Sequence, residues 1–340
     1  MNLCKDVGGT TRRAALLLGL GLLTALPAAA HADDSYPNRP IRFVIAWPPG
    51  GGTDACARVV AQLLSEQIGQ PVIVESHAGA SGQVGTEYVA RAEPDGYTLQ
   101  YTVADSHAII PHLYKNVRYD AHKDFIPVMM LGGGMPNALT VNPDVPADTV
   151  QEFVDLAKKD PGKYTYASWG IGSGGQIRME YFADYEDIDL LHVPYTGSGP
   201  GLNALIAGQV DAMMVPLGMA VSHHKAGTLK ILAIDTPERW PATPDVATFK
   251  EQGIPITFSF WQGVLAPAGT PPEIVDYLNK QLSAALTKPG AYEALLKVGM
   301  VMGQPGEKGL AVPPEEVRAF FDEEYDRWGT IIKNANITIQ

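Results

Sequence analysis

Three stretches of the chain set a glycine-rich turn directly after an apolar run: Gly50-Gly51-Gly52-Thr53, Gly170-Ile171-Gly172-Ser173-Gly174-Gly175 and Tyr195-Thr196-Gly197-Ser198-Gly199-Pro200. Each is followed by a helical pattern, so free backbone N–H groups and the positive end of a helix dipole would point out beyond a strand end. Glycine lets a ligand reach the backbone, and Ser or Thr adds a hydroxyl donor. In parallel sheets, ligands sit beyond the carboxyl ends of the strands. A single turn of this kind more often only shapes a tight connection. Three together predict one anion pocket.

The kind of anion is narrowed by what the turns lack. A phosphate loop needs G-x-x-x-x-G-K-[ST], and no Gly-Lys-Ser or Gly-Lys-Thr occurs. Gly170, Gly172 and Gly175 satisfy the dinucleotide pattern G-x-G-x-x-G, with Asp187 and Asp189 about 20 residues on. The acid that grips a ribose should end the following strand, however, and both aspartates precede that strand, which ends His192-Val193-Pro194-Tyr195. An exported NAD(P)-binding oxidoreductase using Gly170–Gly175 is therefore the alternative function, not the first. Neither Ser81, Ser173 nor Ser198 is flanked by the two glycines of a nucleophile elbow. His223 and His224 are adjacent, hence about 100° apart on a helix, which suits a solvated helix end better than a shared metal. His107 and His112 flank a proline with no carboxylate pattern nearby. The reading is a non-enzyme with no cofactor and no metal.

The elements that must position the turns follow from periodicity. Ile41–Trp47 reads as a buried strand, and Cys56, Val59, Val60, Leu63, Leu64 and Ile68 recur at helical spacing up to Gly69. Pro71–Glu75 is a second strand, so the three make a right-handed βαβ unit. Ser81–Arg91 (helix) and Tyr97–Val103 (strand) continue it. Tyr164–Ser168, Gln176–Tyr185 and Leu190–Tyr195 form another strand–helix–strand unit. Leu202–Ala207 (helix), Val210–Val215 and Ile231–Ile234 (strands) follow. The tail is helical over Ile274–Leu286, Ala291–Val298 and Glu315–Lys333, the last with an apolar stripe of Val317, Phe320, Phe321, Tyr325, Trp328, Ile331 and Ile332. Turn-rich patches at Gly132–Pro136 and Phe258–Gly263 are the expected crossings between two α/β domains.

With 340 residues, two domains are the default. The first 32 residues read separately. Arg12-Arg13 precedes an apolar run, Ala14–Leu26, and Ala30-His31-Ala32 offers a cleavage site. This is a twin-arginine-like signal peptide, cut after Ala32 and directing export to the periplasm. Its apolar run is too short for a membrane span. Cys4 leaves with it, so Cys56 has no disulfide partner. The net charge of −12 becomes more negative without the leader's Lys5, Arg12 and Arg13, which argues against nucleic acid or anionic membrane as partner.

A family resemblance rests on ordered motifs along essentially the whole mature chain. Tyr36-Pro-Asn-Arg-Pro-Ile-Arg42, Pro48-Pro-Gly-Gly-Gly-Thr-Asp54 with Ala57-Arg58, and Gly69-Gln-Pro-Val72 resemble the opening of the Bug-type binding proteins. Pro94-Asp-Gly-Tyr-Thr-Leu99, Tyr119-Asp120, Lys123-Asp-Phe-Ile-Pro127, Tyr166-Ala-Ser-Trp-Gly170, His192-Val-Pro-Tyr195, Gly208-Gln-Val-Asp211 and Gly263-Val-Leu-Ala-Pro-Ala-Gly-Thr-Pro271 extend it. These proteins are periplasmic receptors of tripartite tricarboxylate transporters. The resemblance implies an α/β, two-lobed, type II-like Venus-flytrap fold, each lobe a mainly parallel sheet flanked by helices. The boundaries would be 33–133 with 259–340 for one domain and 134–258 for the other. It implies a monomer that closes on a small carboxylate and delivers it to membrane permease subunits.

In that family, backbone groups and water at the first glycine turn hold one carboxylate, which carries over to Gly50, Gly51, Gly52 and Thr53, with Asp54 behind them. Departures bear on selectivity. Gln176-Ile177 stands where relatives have His-Leu, Arg178 replaces a small residue, Trp47 stands for Phe, and Tyr195-Thr196-Gly197 stands for Tyr-Lys-Gly. Arg178 as a cation for a second carboxylate and Trp47 as a stacking surface motivate a dicarboxylate, with aromatic ones such as terephthalate among the candidates. Ser106, Ser168, Gly172 and Ser173 complete the expected ligand-binding set.

Overall fold

The computed structural model describes residues 36–131, 135–241, 243–258, 261–300, 314–334 and 337. The expected leader and parts of both expected crossings (132–134 and 259–260) lie outside them. The chain up to Asn38 is a unit of its own, and both sheets described below belong to Arg39–Gln340.

The first sheet has the order β2-β1-β3-β10-β4. Strand β1 (Ile41–Ile45) is apolar but for Arg42 and nearly all buried; it leads into α1 (Gly52–Ile68), which buries Cys56, Ala57, Val60, Ala61 and Leu64. Gly69, in the left-handed conformation, ends α1 and its N–H returns to Ser65 O. Strand β2 (Val72–Ser76) then pairs parallel to β1. Helix α2 (Gln83–Ala90) and β3 (Thr98–Val103) complete the unit, with β3 parallel to β1 on its other side. A π-type turn, Asp105–Ile109, and α3 (Ile110–Leu113) follow, then β4 (Phe125–Met130).

The second sheet has the order β7-β6-β8-β5-β9. Its members are β5 (Asn137–Val141), β6 (Thr165–Ser168), β7 (Leu191–Pro194), β8 (Ala212–Pro216) and β9 (Lys230–Ile234). Between them lie α4 (Val150–Lys159), α5 (Gly174–Glu186), α6 (Ser198–Ile206) and α7 (Leu217–Lys225). The chain rejoins the first sheet at β10 (Gln262–Pro267) and ends in α8 (Pro272–Leu286), α9 (Ala291–Lys297) and α10 (Pro314–Asn334).

The two sheets repeat one plan: four strands run the same way and one, in fourth place, opposes them. The opposed strands, β5 and β10, are the first that the chain lays down on entering the second sheet and on re-entering the first. Both lobes are thus α/β, with carboxyl ends of β1, β3, β6 and β7 facing a common crevice. Sequence periodicity leaves β4, β5, β10 and α4 unassigned. In β4 the reason is Pro127, which argues against a strand; it is tolerated because β4 is an edge and the register slips opposite it.

Helix α4 is fixed by a capping box between Thr149 and Glu152. In α10 the buried stripe narrows to Val317, Phe321, Glu324, Trp328 and Ile332. No helix among the described residues is long and apolar enough to cross a membrane. Burial pushes the Cys56 thiol up to about 12, so it packs as an inert apolar group.

Candidate functional site

The first glycine turn carries no side-chain cap. Gly51 occupies the N-cap of α1 in an extended conformation and, though its carbonyl accepts from Ala55 N–H, it offers no side-chain oxygen to the first turn. Asp54 does not fill that role. Its carboxylate bends back to accept from Gly50 N–H at 3.0 Å and pairs with Arg58 one turn on at 2.8 Å, so it shapes the turn from behind. The open N-terminus of α1 is left to whatever lies in front of it.

What lies in front is α6. Its N-cap, Gly197, is likewise extended and provides no side-chain cap. The two bare helix ends come within touching distance: a Cβ added to Gly51 would sit 3.0 Å from Ser198 Oγ, and one on Gly197 only 2.5 Å from the Pro48 ring. Between them is a cavity of about 30 Å³, room for one or two water molecules at about 15 Å³ each. Gly51–Thr53 and Trp47 line it from the first lobe, and Trp169, Gly197–Pro200 and Pro216 from the second; Val103, Asp105 and Met135 complete the lining.

Outside it runs an open groove of about 660 Å³ between the lobes, lined by Ala78–Gly82 and Tyr114 on one side and by Gly170–Ile171 and Pro194–Thr196 on the other. Trp47 and Trp169 line both the cavity and the groove.

The remaining glycine turn is different. At α5, Ser173 Oγ caps Gln176 N–H at 3.4 Å, and Gln176 Oε1 takes Gly172 N–H at 2.7 Å. Gly174 N–H donates to Asp105 Oδ2 at 3.0 Å, and the same oxygen accepts Trp169 Nε1–H at 2.7 Å. A carboxylate from the first lobe therefore already occupies the α5 N-terminus. This explains why the G-x-G-x-x-G match at Gly170–Gly175 does not make a dinucleotide cradle: its N–H groups and its helix dipole are spent on the protein's own groups.

Arg178 is not in the cavity. It is fully buried, with Nε 3.3 Å from Asp235 Oδ2, Nη1 donating to Gly174 O at 2.9 Å, and its guanidinium over the rings of Phe258 and Trp328 at 5.0 and 5.1 Å. The expected second-carboxylate cation is instead an internal tie between α5, the segment after β9 and α10. Helix periodicity could not reveal this, because the partners come from distant parts of the chain. Burial lowers the Arg178 pKa against the pull of Asp235 and Asp105, and it raises those of Asp105 and Asp235, the latter to about 6. Desolvation outweighs pairing in this cluster.

Of the expected ligand residues, Trp47, Gly51, Gly52, Thr53 and Gly197 come together on the cavity, and Tyr195 and Thr196 on the outer groove. Gly50 and Asp54 support the first turn; Gly172, Ser173 and Gln176 satisfy one another. Ser106 is buried against Thr102 (3.0 Å) and His107 (3.1 Å), and Ser168 against His192 (2.7 Å). Burial lowers the two histidine pKa values to about 3 and about 4, so both are neutral packing groups. Val103, Asp105, Met135, Trp169 and Pro216 are cavity residues that sequence reasoning missed. Asp105 had a usable signal: a lone acid in the apolar run Tyr101–Ile110, just beyond a strand end. Among the described residues no three His, Cys, Asp or Glu side chains gather as a metal site requires.

Two sheets of one plan, joined by two crossings and facing each other across a crevice, define a periplasmic binding protein fold. Residues 56–337 match the tripartite tricarboxylate transporter family receptor, TctC. BugT of Bordetella pertussis is 32% identical over 326 residues, 95% of this chain and 98% of that protein. Among solved structures, MatC from Rhodopseudomonas palustris with bound malate superposes with a TM-score of 0.81 at 32% identity, covering 87% of this chain and all of that one. An R. palustris protein with adipate gives 0.84 at 31% identity, covering 89% and 99%. The chain belongs to the TctC family of solute-binding receptors.

Proposed function

We propose that this receptor captures a small carboxylate between its lobes and hands it to the membrane permease of a tripartite tricarboxylate transporter. The observation that carries the reading is the pair of uncapped helix ends, α1 and α6, facing one cavity from opposite lobes. Their N–H groups and dipoles favour an anion without a side-chain cation. Because both ends meet the same cavity, they share one carboxylate, held by backbone and water. The relatives with malate and with adipate support this class of ligand.

The cavity of about 30 Å³ corresponds to closed lobes. Entry of a ligand then requires hinge opening at the two crossings, and the bound ligand biases the hinge shut. On this view the lobes are 33–133 with 259–340, and 134–258. The ligand body extends past Trp47 and Trp169 into the outer groove, where Tyr195 and Thr196 meet it. That groove accommodates the far end of a dicarboxylate, and two indoles suit an aromatic body such as terephthalate. Export to the periplasm as a monomer, with the leader cut after Ala32, completes the proposal.

A thermal-shift screen tests it. Carboxylates should raise the unfolding midpoint and dinucleotides leave it unmoved, since only ligands that favour the native state stabilise it. A rise with NAD(P) and none with any carboxylate would overturn it.

A further inference from the structure

Gly170 and Gly172, the first two glycines of the G-x-G-x-x-G match, stand on either side of Ile171, and neither lines the cavity between the bare helix ends. Both have positive φ, 139° and 77°. Their lack of a side chain admits the opposite lobe. A Cβ on Gly170 would lie 2.8 Å from Ser81 Oγ, and one on Gly172 would lie 2.8 Å from the Tyr114 ring. Through these gaps two hydroxyls reach the Ile171 carbonyl: Ser81 Oγ–H donates to it at 2.5 Å and Tyr114 Oη–H at 2.8 Å. Ser81 follows β2 and Tyr114 follows α3, both connections of the first sheet, whereas Ile171 follows β6 of the second. Two donors fill both lone pairs of that carbonyl oxygen.

Each side of the clasp is set by its own lobe. Gly170 O accepts Ser173 N–H at 3.1 Å and Gly172 N–H goes to Gln176 Oε1 at 2.7 Å, so the turn is braced on both sides of the Ile171 carbonyl that it presents. Opposite it, Ala80 and Ser81 hold φ values of 44° and 52° between Gly79 and Gly82, which are positive as well. Side chains resist this region, and such backbone persists only where its surroundings fix it. At Ser81 it carries the hydroxyl across the crevice. Burial raises the Tyr114 pKa, so the phenol keeps the proton that it donates. All three residues line the outer groove.

Resting on the carboxylate-receptor reading, we propose that Ser81 and Tyr114 are a closing latch: with the lobes shut they clasp the Ile171 carbonyl, and opening the crevice breaks both bonds. The latch joins the closed protein to itself rather than to the ligand. It therefore scales the closed population, and with it the affinity for every ligand by one common factor. Selectivity stays with the groups that touch the ligand. Both hydroxyls are only half-buried, so each bond contributes modestly, as a catch that must reopen requires.

Titration calorimetry and stopped-flow release with malate, adipate and terephthalate test this. In Ser81→Ala and in Tyr114→Phe the dissociation constant should rise about fivefold, by the same factor for each acid that binds and through faster release. Factors that differ from acid to acid would mean direct contact with the ligand and would overturn the latch, as would no loss in either variant. A second arm needs no ligand. A Cβ on Gly197 would lie 3.8 Å from Pro48 Cβ, within reach of a disulfide, so the oxidation rate of the pair Pro48→Cys with Gly197→Cys reports closure directly. Adding Ser81→Ala and Tyr114→Phe should slow that cross-link at least about threefold. An unchanged rate would overturn the latch. If no acid binds while the cross-link slows, the latch stands and it is the carboxylate-receptor reading that falls.

Discussion

Helices α1 and α5 both follow a buried strand, both start in a glycine-rich turn, and both present a hydroxyl residue there, yet one meets a cavity and the other a carboxylate. At α1 the nearby acid, Asp54, turns away to Gly50 N–H and Arg58. At α5, Ser173, Gln176 and Asp105 satisfy the turn before any ligand arrives. The difference teaches that a bare helix end becomes a site only where the tertiary structure withholds an internal anion. It also divides the labour: the α1 and α6 ends offer a generic anion seat, while the α5 turn ties the lobes and the crossing together.

The sharpest way to break the comparison is to keep the bare ends apart. Gly197 is extended, so valine fits its backbone, but a Cβ there would lie 2.5 Å from the Pro48 ring of the opposite lobe. Gly197→Val should fold with an unchanged circular dichroism spectrum and lose carboxylate affinity by about 100-fold or more, seen by titration calorimetry. Retained affinity would mean that the α6 end does not close on α1.

The next effect belongs to the other turn. Arg178→Ala leaves Asp235 buried without its cation and should cost about 3–5 kcal/mol in urea unfolding. Because Arg178 lies outside the cavity, affinity of the folded fraction should change far less than in Gly197→Val. Loss of affinity with stability intact would restore the guanidinium to the site.

His107, two residues beyond Asp105, probes whether the turn carrying that acid is a fixed scaffold. Its folded pKa of about 3 lies below the ordinary 6.5, so the neutral form is the native one. Its contribution is fully present above pH 6.5 and is lost as pH falls toward 3. Relative to His107→Gln, the wild type should therefore lose stability below pH 6.5, by at most about 1.4 kcal/mol per pH unit. Urea curves at pH 7.5, 5.5 and 4.5 check it; a constant difference would place a protonated His107 in the fold.

The smallest effect is expected at Arg58. It is half exposed and pairs with Asp54 at i,i+4 spacing, so Arg58→Ala should shift stability by about 0.5 kcal/mol or less and leave affinity nearly unchanged. A large loss would mean that Asp54 needs the cation to hold Gly50.

Local sequence made much of this legible. The βαβ order, the extent of α1 to Gly69 and the core-facing stripe of α10 follow from apolar spacing, which is a property of a dozen consecutive residues. The bareness of the first turn was not readable: by residue type Thr53 or Asp54 is expected to cap the start of α1, whereas Gly51 stands at the N-cap and Asp54 turns back to Gly50 N–H. Nor was Arg178: one turn into α5, the same spacing suits a pocket, a surface or a buried tie, and Asp235, Phe258 and Trp328 decide among them from 57 to 150 positions away. Asp105 stands 69 positions before the N–H that it caps. Sequence by itself determined which helix ends could receive an anion, because a glycine-rich turn between strand and helix is a local feature. Only the tertiary structure decided which of them still does, because the competing anion is brought in by the packing of one lobe against the other.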